Sequence, residues 1–202
     1  MEFDMTKQKT DYTVQVLAPN KMVPESPTPT AFLIPQLILR FLVLAFTLSA
    51  VLVAVTARQS ASFLSFVFNA TYKDSSATRF QVGANAVACF FTFLSLLFLY
   101  GFRRPKSDPS RNYFQLLLHD MVMSILLISG CAAGTAVGYL AKYGQKQGGW
   151  GPICKYVDKF CDKITLSLAL SYLAFLCMFM LTLMAAYKLK SQTTLKINTG
   201  EL

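Results

Sequence analysis

Residues 113–140 read YFQLLLHDMVMSILLISGCAAGTAVGYL, an apolar run whose one formal charge is Asp120. At about 1.5 Å per residue, a helix over this run exceeds the ~30 Å hydrocarbon layer of a bilayer. Three other runs share its character: 32–55, charged only at Arg40, and 80–100 and 164–187, which carry no charge. Soluble cores rarely hold helices of this length four times over. The expected fold is therefore an all-α membrane protein, a four-transmembrane helix bundle.

Composition agrees. Of 202 residues, 54% are hydrophobic and 14% charged, and the mean hydropathy is +0.45, more apolar than an ordinary soluble domain. The formal charge of +9 occurs without a basic groove pattern, so it reads as loops facing phospholipid head groups and excludes a nucleic-acid binder. Residues 1–31 are polar and include MVPESPTPT at 22–30, which predicts a disordered cytosolic tail. The first apolar run is too long for the core of a cleaved signal, so the first span is expected to act as its own insertion signal. The membrane domain is expected over 32–188, followed by a short cytosolic tail at 189–202.

An even number of spans puts both termini on one side. Basic residues divide almost evenly between the two sides, but GFRRPKSDPSRN (101–112) is the most concentrated basic loop and favours the cytosol. Asn69-Ala70-Thr71 forms a glycosylation sequon between spans 1 and 2, which would place that loop in the secretory lumen. Cys154 and Cys161 lie in the loop between spans 3 and 4. A lone cysteine pair there suits a disulfide in an oxidising compartment, whereas zinc would need two more ligands. These signals agree on cytosolic N and C termini.

Arg40 lies seven residues into span 1 and Asp120 six residues into span 3, counted from Leu33 and Phe114. The two spans run in the same direction, so the charges sit at matched depth, about 10 Å inside the membrane edge. An unpaired charge at mid-membrane costs about 2.5–3.5 kcal/mol, and each of these charges is alone in its span. An intramembrane Arg40–Asp120 ion pair is the expected solution. His119 points about 100° around the helix from Asp120 and is expected to face head groups or another helix, without chemistry. Asn85, Ser95, Ser167 and Ser171 are the polar groups noted in spans 2 and 4, too few for a transport path.

Gly130, Gly134 and Gly138 recur at steps of four, the spacing that lets helix backbones approach closely in lipid. The spacing serves packing inside one bundle or between protomers equally. Cys89, Cys131 and Cys177 read as small packing residues, and the many phenylalanines as lipid-facing filler. One histidine, no paired carboxylates, no phosphate loop and no ligand cluster point to a non-enzyme without metal or cofactor.

FQVGANAVACFFTFLSL (80–96), LLLHDMVMSILLISGCAAGTAVGYLAKYG (116–144) and WGPICKYVDKFC (150–161) together resemble the Casparian strip membrane domain proteins. More broadly, they resemble the plant CASP-like family, relatives of MARVEL tetraspans. Arg40 and Asp120 match the family's intramembrane charges, while Trp150, Cys154 and Cys161 match its second outer loop. The resemblance implies a plasma-membrane protein that associates with itself and with related CASP-like proteins. It implies a scaffold that organises a membrane domain and guides secreted cell-wall enzymes. The loop ARQSASFLSFVFNATYKDSSATRF (57–80) lacks the Leu-Pro-Phe-Phe stretch of the barrier-forming members, which favours a CASP-like relative of another role. Trp150 is the expected contact point of the outer loop. The alternative is a small channel, transporter or accessory subunit that uses Arg40 and Asp120.

Overall fold

The computed structural model describes residues 29–63, 66–101, 109–145, 148–149 and 151–199. Ile34–Leu202 forms one compact unit; of the other, Met1–Leu33, only the first residues of α1 are described. The helices are α1 (Pro29–Thr56), α2 (Ser76–Gly101), α3 (Pro109–Tyr143) and α4 (Asp158–Thr199). Strands β1 (Arg58–Phe63) and β2 (Phe66–Thr71) join α1 to α2, and a 3₁₀ turn at Ile153–Lys155 precedes α4. All four helices are long and apolar enough to cross a membrane, the candidate spans being Ile34–Thr56, Ser76–Phe98, Phe114–Tyr143 and Asp158–Ser191.

Local chemistry sets the helix ends. Proline opens α1 and α3, where its missing N–H costs nothing. Ser75 Oγ accepts the Thr78 N–H at 3.4 Å and caps α2. At the end of α3, Gly144 takes φ 70° and its N–H donates to the Leu140 carbonyl at 2.8 Å, a left-handed stop that suits glycine. α4 has no such stop after its apolar run and continues to Thr199, through most of the segment 189–202 that the sequence reading treats as a tail.

The bundle is inside-out compared with a soluble one. Its outer surface carries Phe41, Leu48, Phe90, Phe98, Leu118 and Leu176, each more than half exposed. Its interior holds small and polar side chains, including Ala50, Ala54, Ala84, Ala88, Gln81, Asn85, Ser167 and Ser171. In lipid, large apolar residues gain nothing by turning inward, so small residues and hydrogen bonds drive the packing. α3 packs closely on α2 and α4.

The hairpin between α1 and α2 was not foreseen. β1 and β2 are antiparallel in the register Arg58↔Thr71 through Phe63↔Phe66, and Asn69 stands opposite Ser60. The hairpin is docked by Gln59, whose Oε1 accepts the Phe160 N–H at 2.9 Å and whose Nε2 donates to Asp158 Oδ1 at 3.3 Å. Asp158 Oδ1 also accepts the Lys159 N–H at 2.8 Å. The first turn of α4 thus has its free N–H groups partnered by one residue of its own and one from the hairpin.

Candidate functional site: the buried ion pair and polar core

Arg40 reaches from α1 to Asp120 on α3, and both side chains are fully buried. Arg40 Nη2 donates to Asp120 Oδ2 at 2.8 Å and to Oδ1 at 3.1 Å. Arg40 Nε and Nη1 have no acceptor among the described residues, so Asp120 is the guanidinium's only counter-charge there. Gln36, one turn earlier on α1, is also buried, and neither of its amide atoms has a partner among the described residues.

His119 faces another helix, as expected, but it also contacts Asp120. Its half-buried ring reaches back along α3, with Nδ1 3.1 Å from Asp120 Oδ1. A turn of 100° separates adjacent side chains at their roots, but the imidazole is long enough to close that gap. Phe91 of α2 lies beside the ring, with centroids 6.3 Å apart.

A second polar group lies toward the hairpin end. Asn85 Nδ2 donates to Ser171 Oγ and to the Gln81 carbonyl, both at 2.9 Å, and Gln81 Nε2 donates to Ser171 Oγ at 3.4 Å. Ser171 Oγ donates to the Ser167 carbonyl at 2.9 Å, and Ser167 Oγ donates to the Ala50 carbonyl at 2.8 Å. This chain ties α2, α4 and α1 together. Gln81 and the Ala50 carbonyl escaped the sequence reading; a neutral glutamine in an apolar run was the one signal available.

Buried apolar side chains fill the rest of the interior, where Val43, Ala88, Met123, Leu127, Ala174, Met178 and Leu181 form one core cluster. Thr47 and Ser124 are buried beside them and turn their hydroxyls onto their own helices, donating to Val43 and Asp120 carbonyls at 2.8 Å. Thr92 of α2 is buried as well.

The glycines divide. A Cβ on Gly134 would lie 2.8 Å from Gln81 Oε1 and 3.1 Å from Leu168 Cδ1, and one on Gly130 would lie 3.1 Å from Ala84 Cβ. Both serve close approach within this chain. Gly138 has nothing within 4 Å of that position. Cys131 is fully buried, while Cys89 and Cys177 are partly so. Among the described residues, no cluster of histidine, cysteine or carboxylate side chains could hold a metal ion.

Cys154 and Cys161 are joined by a disulfide, Cα–Cα 5.8 Å, which clamps the 3₁₀ turn to the first turn of α4. Closing this short loop stabilises the turn by about 2 kcal/mol on the chain-entropy account. Accordingly, reductant should shift the gel mobility of the wild type and leave Cys154→Ser unaffected; an identical response of the two would remove the clamp. Asn69 lies on β2, at the same end of the bundle as this clamp. Trp150 lies outside the described residues.

The sequence profile of the Casparian strip membrane protein domain matches residues 30–177. The chain is 47% identical over 180 residues to CASP-like protein 1F3 of Populus trichocarpa, covering 89% of this chain and 93% of that one. It is 45% identical over 165 residues to CASP-like protein 1F2 of Vitis vinifera, covering 82% and 86%. CASP-like protein 1F1 of Ricinus communis is 43% identical over 157 residues, covering 78% and 87%. No solved structure matches the chain.

Proposed function

Because this chain belongs to the Casparian strip membrane protein domain family, we propose that it is a non-enzymatic plasma-membrane scaffold. It self-associates, alone and with related CASP-like proteins, to organise a membrane domain, with both termini in the cytosol and the hairpin end outside. From that end it guides secreted enzymes that modify the adjoining cell wall. The observation that carries this reading is the placement of polar groups. The ion pair and the Gln81–Asn85–Ser171 group fasten helices to one another, which supports a structural use of the buried polar residues. A bundle stapled internally, with an apolar exterior, is a unit suited to lateral assembly in lipid.

Self-association is tested by expressing two differently tagged copies and isolating one from mild detergent. The second copy should accompany the first, while an unrelated four-span protein at the same level should not. Recovery of single copies alone would contradict the scaffold. A conductance that changes when Asp120 becomes Asn would instead support a channel.

A further inference from the structure

Two buried side chains of α1 face the interior with hydrogen-bonding atoms to spare. Arg40 Nε and Nη1 and both amide atoms of Gln36 have no partner among the described residues, although these residues are 0% and 1% exposed. Gln36 lies one turn before Arg40, so the two are neighbours on one face of the helix. Thr92 of α2 is fully buried too, and its Oγ1 has no partner among the described residues. Phe91, the residue before Thr92, lies beside His119, the residue before Asp120, so Thr92 stands at the level of the ion pair. His119 Nε2 is a further unpartnered atom at this level, whereas the Gln81–Asn85–Ser171 group keeps one such atom, Asn85 Oδ1.

Buried donors and acceptors are costly to leave unpaired, so a partner is expected here, and the free atoms define it. Arg40 and Asp120 neutralise each other, so an added ion would bring an unbalanced charge into the membrane interior. Arg40 Nε and Nη1 and Gln36 Nε2 donate, so the partner accepts; Gln36 Oε1 accepts, so the partner also donates. A lipid ester carbonyl cannot donate. The exposed side of α1 carries Ile34, Ile38 and Phe41, while Gln36 and Arg40 point away from it, so the partner is small enough to sit within the bundle. Water meets all of these requirements, and a buried water makes about three hydrogen bonds, which the atoms at this level can supply. α1 is also the helix packed least closely: α3 approaches α2 and α4 closely, and α1 approaches none of the three to that degree.

We propose that ordered water is built into the bundle between α1 and α2, bridging Arg40, Gln36 and Thr92. Direct bonds tie α1 to α3 through Arg40 and to α4 through the Ala50 carbonyl. Water adds α2 and completes the hydrogen bonding of the guanidinium. Gln36 is then a positioning residue for Arg40 that acts through the water. The water belongs to the single protomer and does not depend on self-association. In the test, the full isotope-labelled chain is placed in phosphatidylcholine bilayers. Magic-angle-spinning NMR follows magnetisation passing to side-chain N–H groups from water and, separately, from lipid protons. Arg40 Nε–H should receive it from water, as the exposed Arg58 and Arg79 do. Gln36→Leu should slow that transfer about threefold, since the water loses one of its anchors. The same variant should lower the thermal midpoint by about 3 °C, although leucine is the more apolar residue.

No transfer from water to Arg40 Nε–H, with Arg58 and Arg79 responding, would overturn the proposal, because the site would be dry. Transfer from lipid protons alone would give the place to a lipid head group and overturn it as well. An unchanged transfer rate in Gln36→Leu would remove Gln36 from the site. A raised midpoint in that variant would show that the amide is unpartnered in the wild type. The wild-type measurement decides even where Gln36→Leu fails to fold.

Discussion

Replacing Asp120 with alanine should destabilise the bundle by about 3–5 kcal/mol, the cost of leaving a buried charge without its partner. Arg40 spends Nη2 on Asp120, and its other nitrogens find no acceptor among the described residues. The variant should lose on the order of 10 °C in thermal midpoint in detergent and should fail delivery to the cell surface. His119→Ala should cost about 1 kcal/mol, because Asp120 keeps its stronger partner. The combination Arg40→Met with Asp120→Leu should recover most of the loss, since an apolar pair of similar volume carries no desolvation cost. If Asp120→Ala melted like the wild type and reached the surface, the pair would not be structural.

A leucine at Gly134 should be nearly as damaging as the loss of Asp120, whereas a leucine at Gly138 should leave the folded protomer unchanged. The first would press against Gln81 Oε1 and Leu168 Cδ1, already within 3.1 Å of a bare Cβ. Overpacking of this kind costs about 1–3 kcal/mol. It would also displace Gln81, whose amide donates to Ser171 and so joins α2 to α4. Gly138 meets open space, so its substitution should change stability by less than about 0.5 kcal/mol. Thermal midpoints of the two variants compare them directly. Loss of self-association in Gly138→Leu, with the midpoint unchanged, would assign that glycine to contact between copies.

Four spans were legible because long uncharged runs have few other uses. The ion pair was legible for a related reason: one charge per span, of opposite sign and equal depth, leaves little choice of partner. Neutral polar residues give no such clue. Gln81, Asn85, Ser167 and Ser171 could each face lipid head groups, a neighbour or their own backbone, and only packing decides. The contact of His119 with Asp120 was not legible, because helical angle alone ignores side-chain reach. The glycine stripe was visible but its partners were not: Gly130 and Gly134 touch α2 and α4, and Gly138 touches neither, though all three share one spacing. The hairpin was missed because the serines of RQSASF obscure the alternation of a short strand. The helical continuation of α4 beyond its apolar run was not legible, because hydropathy marks where the membrane ends, not where a helix does.

Copies of this protein are proposed to assemble into a bounded membrane domain. This is tested most directly by photobleaching a fluorescent fusion in intact plant cells. A delimited patch with little recovery is expected, and that patch should be lost for Asp120→Ala. Rapid, uniform recovery of the wild type around the whole cell surface would contradict it.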